Sequence, residues 1–187
     1  MTPSDSDELA DELLFAAEEE SQGSGLPPWI VLVVDDEPDV HAVTRLALEK
    51  ALFAGRGVRL VNASSAAEGR ALLAKHPDAA LMLLDVVMES DVAGLDLVRH
   101  VRETLGNRDV RIVLRTGQPG VAPARTVVEH YEIDDYRTKT ELTSERLYVS
   151  VAAALRAFAL LDARRQPAHV AVGRAHVVVG AADSGLQ

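Results

Sequence analysis

Acidic residues, a lysine and a threonine follow several predicted strands of this 187-residue chain. Asp35 and Asp36 follow Ile30–Val34, and Asp85 follows Ala79–Leu84. Thr116 ends the run that begins at Val110, and Lys139 lies just past Ile133–Arg137. Taken singly, an acid after a strand is most often a cap or a turn former, and a single lysine is most often solvated surface. Taken together, they place three carboxylates in one crevice, where mutual repulsion costs stability unless a cation offsets it. Hard oxygen ligands with an open coordination sphere suit Mg²⁺ better than zinc or copper. Such an ion would neutralise an incoming phosphoryl group and leave Asp85 as the nucleophile. The Lys139 ammonium and the Thr116 hydroxyl can hold the remaining phosphoryl oxygens. The chemistry that fits is phosphoryl transfer onto a carboxylate, giving an acyl phosphate.

The elements that must position these groups alternate along the chain. Ile30–Val34 is unbroken and apolar, as a strand buried on both faces requires. Pro38 suits the first turn of a helix. Val40, Val43, Leu46 and Ala47 then repeat at helical spacing and predict a helix over 38–53, broken by Gly55 and Gly57. Val58–Asn62 reads as the second strand. Ser65 and Glu68 have capping-box spacing and open a second helix ending near His76, before Pro77. Ala79–Leu84 is the third strand. Gly94 leads into a helix whose apolar face is Leu95, Val98, Val101 and Leu105. Val110–Leu114 is the fourth strand, a helix is expected over 123–130, and Ile133–Arg137 is a short fifth strand. A last helix over 143–162 carries Leu147, Val151, Leu155 and Phe158. Five rounds of strand and helix predict an α/β fold, a doubly wound five-stranded parallel sheet, with right-handed crossovers. Ligands bind such sheets outside the carboxyl ends of the strands.

Residues 1–28 are expected to be a flexible acidic leader, although Leu9, Leu13 and Leu14 have the spacing of a short helix. The ordered domain is expected over 29–162, and 163–187 is a tail whose Val-rich stretches allow an edge strand, a hairpin or disorder. Its His169 and His176 have no carboxylate spaced to complete a metal site. The formal net charge of -10 argues against nucleic acid as a partner, because phosphate contacts need Lys and Arg. The absence of cysteine excludes disulfides and thiol catalysis. No apolar run is long enough to span a bilayer, and no signal-type segment opens the chain. A cytoplasmic protein is the expectation.

The residues resemble the receiver domains of bacterial two-component response regulators, over about 30–160. The resemblance rests on Val33-Val-Asp-Asp-Glu-Pro38, on Leu83-Leu-Asp-Val-Val-Met88 with Gly94 beyond, on Thr116-Gly117, and on Asp135-Tyr136-Arg-Thr-Lys139. It implies a flavodoxin-like receiver fold, Asp85 as phosphoacceptor, and a Mg²⁺ site of Asp35, Asp36, Asp85 and the Val87 carbonyl. Asp36 would be the more direct ligand of the acidic pair. Thr116 would move to meet the phosphoryl group, Lys139 would bind it, and Tyr136 would swing inward on activation. A sensor histidine kinase or histidine phosphotransfer protein would be the donor. A downstream protein would read the face made by the fourth helix, fifth strand and fifth helix, and a homodimer is compatible with this scheme. Slow hydrolysis of the acyl phosphate is the only turnover implied, so no enzyme activity is expected.

Two positions depart from the family pattern. Glu89 stands where a proline is usual, in a loop one residue longer, and Thr140 follows Lys139 where proline is usual, which should free the loop beyond it. Glu89 could repel a phosphoryl donor or hydrogen-bond a metal-bound water. Asp11-Glu-Leu-Leu-Phe15, Leu114-Arg-Thr-Gly-Gln-Pro119 and Tyr136-Arg-Thr-Lys-Thr-Glu-Leu142 are similar to a subgroup usually found ahead of an HD-GYP output. No such output signature is in the chain, which is therefore read as a single receiver or as a piece of a longer one.

Two other functions compete. A Mg²⁺-dependent hydrolase on a similar sheet would usually place a second acid two residues after its nucleophile, where this chain has Val87. A receiver-like interaction module would work without phosphorylation. No phosphate-binding Gly-rich loop follows the first strand.

Overall fold

In the computed structural model, residues 25–117, 124–141 and 143–165 are described. The expected helix over residues 8–20 and the tail beyond 165 lie outside them. Five strands, β1 (Trp29–Val34), β2 (Val58–Ala63), β3 (Leu81–Asp85), β4 (Arg111–Thr116) and β5 (Asp135–Thr138), form one sheet in the order β2-β1-β3-β4-β5. All four pairings are parallel. The helices are α1 (Pro38–Leu48), α2 (Ala66–Lys75), α3 (Ala93–Arg99, continued by a π-turn His100–Thr104), α4 (Ala124–His130) and α5 (Ser144–Arg165). This is the doubly wound parallel sheet expected from the alternation, in the flavodoxin-like order that the resemblance implies. The chain reverses direction across the sheet between β1 and β3, so their carboxyl ends flank the crevice where ligands bind such folds.

Two apolar layers sandwich the sheet, and strand alternation sorts residues between them. Leu32, Val34, Met82, Leu84, Ile112 and Leu114 face the side packed with α3 residues such as Leu97 and Val98. Val31, Val33, Leu81, Leu83 and Val113 face the other side, with Leu48 of α1 and Leu147, Val151 and Leu155 of α5. Extending the same alternation by one residue puts Asp35, Asp85 and Arg115 on the α1/α5 side. Thr116 and Tyr136 fall on the opposite side.

Three local expectations are corrected. The first helix ends at Leu48 rather than running to 53. Phe53 turns back to pair with Arg56, through Ala54 and Gly55 at φ 53° and 74°, and its carbonyl accepts the Trp29 indole N–H at 3.0 Å. That hydrogen bond to a buried donor outweighs one more helical turn. Within α1 the buried positions are Thr44 and Leu48, while Val43 and Leu46 are 54% and 72% exposed. Helix α1 therefore presents the face containing Thr44 to the sheet, and the reason appears at the site. Leu105 is 49% exposed because the π-turn rotates the chain out of the α3 register.

The second helix starts as its spacing predicts. Ser65 Oγ accepts the Glu68 N–H, and the Glu68 carboxylate accepts the Ser64 N–H at 2.7 Å.

Candidate functional site

The carboxyl ends of β1 and β3 and the turn after β5 meet above the sheet. Lys139, in a 3-10 turn directly after β5, carries its ammonium into the crevice. Its Nζ donates to Asp85 Oδ2 at 2.7 Å, to Glu37 Oε1 at 2.6 Å and to Asp35 Oδ1 at 3.1 Å. Asp35 is fully buried and Asp85 nearly so. One oxygen from each of Asp35, Asp36, Glu37 and Asp85 falls within 4.8 Å of the others. Asp36 and Glu37 are solvent-exposed, so the cluster has a buried floor and an open rim.

Each group is placed by a local cause. Asp35 Oδ1 accepts the Glu37 N–H at 3.1 Å, and His41 Nε2 contacts the Asp35 carbonyl at 2.7 Å, which ties the end of β1 to α1. Asp85 Oδ1 accepts the Val87 N–H at 3.4 Å. The loop after Asp85 closes against itself, with Gly94 N–H donating to the Val86 carbonyl at 3.0 Å. A Cβ at residue 94 would stand 2.0 Å from the Asp85 carbonyl oxygen, so only glycine permits this approach.

Electrostatics follow from burial and from the shared ammonium. Burial pushes the Asp85 carboxyl up, opposed by its hydrogen bond and charge interaction with Lys139 and aided by the nearby Asp35 charge. Burial works against the Lys139 ammonium too. Its hydrogen bonds to Asp85 and Glu37 and the charges of Asp35 and Asp85 more than reverse this, and its pKa rises. Thr116 is fully buried and hydrogen-bonded to Tyr136 on the far side of the sheet; burial raises the Tyr136 phenol and that hydrogen bond lowers it.

The expected residues are thus divided. Asp35, Asp36, Asp85 and Lys139 converge on one point. Thr116 and Tyr136 form a pair of their own behind it. Glu37 was missed as a partner of Lys139, although the unbroken Asp35-Asp36-Glu37 run was a usable signal. Glu89 makes a contact that the sequence did not predict. Its carboxylate accepts the Ala66 N–H at 3.1 and 3.4 Å, which caps the amino end of α2.

Arg115 was missed as well. It is a β4 residue, 3% exposed, in register with Asp85. Nη1 donates to Thr44 Oγ1 at 3.0 Å, which explains why α1 turns Thr44 inward. Nη2 lies 3.5 Å from Asp35 Oδ2 without hydrogen-bond alignment. Burial pulls its pKa down, and the charges of Asp35, Asp85 and Glu37 oppose that.

The donor set at the rim is entirely carboxylate oxygen, and Asp35 Oδ2 is buried with no hydrogen-bond donor among the described residues. A hard divalent cation fits these residues.

Comparison with known proteins identifies the family and the fold. The response regulator receiver domain family matches residues 31–152. The chain belongs to that family. The receiver is 52% identical over 131 residues to the 3'3'-cGAMP-specific phosphodiesterase 2 of Vibrio cholerae serotype O1, covering 70% of this chain and 25% of that protein. The chain thus spans about a quarter of the length of this curated relative. A receiver domain from Clostridium thermocellum superposes with a TM-score of 0.60 at 21% identity, covering 71% of this chain and 98% of that one, a likeness of fold. The receiver domain of AraT from Geobacillus stearothermophilus gives 0.58 at 25% identity, over 73% and 98% of the two chains. Membership makes this chain a receiver unit of two-component signalling, a class that works with kinases or phosphotransfer proteins and an output. Among the described residues no helix is long and apolar enough to cross a membrane.

Proposed function

We propose that this receiver accepts a phosphoryl group on Asp85 with Mg²⁺ and signals by a change of shape. The observation that carries the reading is the Lys139 ammonium, 2.7 Å from Asp85 Oδ2 and 3.1 Å from Asp35 Oδ1, joining residues far apart in the chain at one acidic point. Asp36, Asp35, Asp85 and the Val87 carbonyl would hold the ion. When bound, it offsets carboxylate repulsion and the charge of the transferring phosphoryl group.

The donor is a histidine kinase or a histidine phosphotransfer protein. An Asp85 carboxylate oxygen attacks phosphorus, the P–N bond of the phosphohistidine breaks, and the imidazole leaves with the electron pair and is protonated. Lys139 then exchanges its carboxylate partners for a phosphoryl oxygen. Thr116, buried behind Asp85, turns its hydroxyl toward the same group, and its pairing with Tyr136 passes that movement to β5. The face of α4, β5 and α5 is where a downstream partner would read the change. Two-component regulation of a phosphodiesterase output, as the name of the Vibrio relative suggests, is the readout we favour, with the cytoplasm as the setting.

Acetyl phosphate with Mg²⁺ tests the reading. Intact mass should rise by one phosphoryl group in the wild type and stay unchanged in Asp85→Asn. Equal modification of both proteins would refute the assignment.

A further inference from the structure

The fold does not need a charge at residue 115. Apart from Asp85 at the carboxyl end of β3, every other buried strand residue on the α1/α5 side among the described residues is apolar, and Nε and Nη2 of Arg115 are buried without hydrogen-bond partners among the described residues. Burying unpaired guanidinium N–H groups costs stability, and an apolar side chain of similar length would avoid that cost. Nor is Arg115 what holds Asp35 in place. The Glu37 N–H, Lys139 and the backbone contact of His41 do that. Arg115 faces Asp35 at 3.5 Å without alignment, which leaves a through-space charge interaction. Thr44 anchors the other end of the guanidinium, so its charge cannot swing away.

The charges of the site can then be counted. Four carboxylates face the two side-chain cations Lys139 and Arg115, a deficit of two charges that one divalent cation offsets. Without Arg115 the same site would remain negative after the ion had bound, would grip it harder, and would resist an anionic phosphoryl group more.

We propose that Arg115 is a fixed buried cation that sets the charge of the acidic site from beneath, holding Mg²⁺ affinity down so that the loaded site is neutral toward phosphoryl donors. This rests on the Mg²⁺ site proposed above. It differs from the part played by Lys139, which can leave its carboxylates for the phosphoryl group.

Calorimetric titration of the full chain with MgCl₂ at neutral pH tests it, with circular dichroism to verify folding. Arg115→Met should bind Mg²⁺ three- to tenfold more tightly than wild type, and Arg115→Lys, which keeps the charge, should stay within about twofold. Arg115→Gln, which keeps a donor for Thr44 and loses the charge, should follow Arg115→Met, and it carries the test if the methionine variant does not fold. Unchanged or weaker Mg²⁺ binding in a folded neutral variant overturns the inference and leaves the Mg²⁺ site standing. A wild-type chain that binds no Mg²⁺ overturns both.

Discussion

Glu89→Ala separates a structural latch from an electrostatic gate. The Glu89 carboxylate accepts the Ala66 N–H at 3.1 and 3.4 Å, joining the loop after Asp85 to the first turn of α2. Losing a side-chain cap typically costs about 0.5–2 kcal/mol, and a carboxylate at a helix amino end adds about 0.3–1 kcal/mol. Here Ser65 and Glu68 still cap the same helix, and Glu89 is exposed, so the lower part of the range applies. The expected cost is about 1 kcal/mol, or a melting temperature lower by about 3 °C for a domain of this size. Glu89→Gln keeps an acceptor and loses the charge, so about half of that is expected. Thermal unfolding without metal reads the stability, and hydrogen exchange at the Ala66 amide reads the latch directly. If Glu89 acts instead by repelling phosphoryl donors, Glu89→Ala will accelerate acetyl phosphate labelling at unchanged melting temperature and unchanged Ala66 protection. That result would refute the latch.

Other outcomes follow from the same geometry. Because burial raises the Asp85 carboxyl, its ionised form opposes folding near neutral pH; the favourable contribution of the protonated acid is present below the unfolded-state pKa and lost as pH rises through the folded value. Asp85→Asn should therefore melt no lower than the metal-free wild type at neutral pH, and a clear drop would contradict this. Lys139 has a raised pKa, so its contribution is complete below its unfolded value and lost only as strongly alkaline pH passes the folded one. Lys139→Met should cost about 2–3 kcal/mol, partly restored by Mg²⁺, with a difference from wild type that is flat between neutral pH and pH ~10 and shrinks above. A difference that already fades between neutral pH and pH ~9 would count against the Lys139 contacts. Gly94→Ala must push a methyl group into the Asp85 carbonyl and should lose about 3 kcal/mol in denaturant unfolding, together with Mg²⁺ binding.

The chain's own order of residues determines much of this protein. Strand-length segments alternating with helical spacing predict the number of strands, and the unbroken apolar runs Ile30–Val34 and Ala79–Leu84 predict a parallel sheet, because neither face of such a central strand can meet water. The acids and the lysine that follow those segments are legible because a strand's end is also the sheet's carboxyl edge. Helix boundaries were less legible. Val43 and Leu46 fit the helical period as well as Thr44 and Leu48 do, and only the buried Arg115 explains why α1 turns Thr44 inward. The same limit applies to Arg115 and Glu89. A guanidinium beside Thr116 and a glutamate in a loop carry no sign of their neighbours, since their partners Thr44, Asp35 and Ala66 lie far off in sequence. Local periodicity records which residues must leave water. The register between β3 and β4, and the rotation of each helix on the sheet, decide which charges face one another once they have left it.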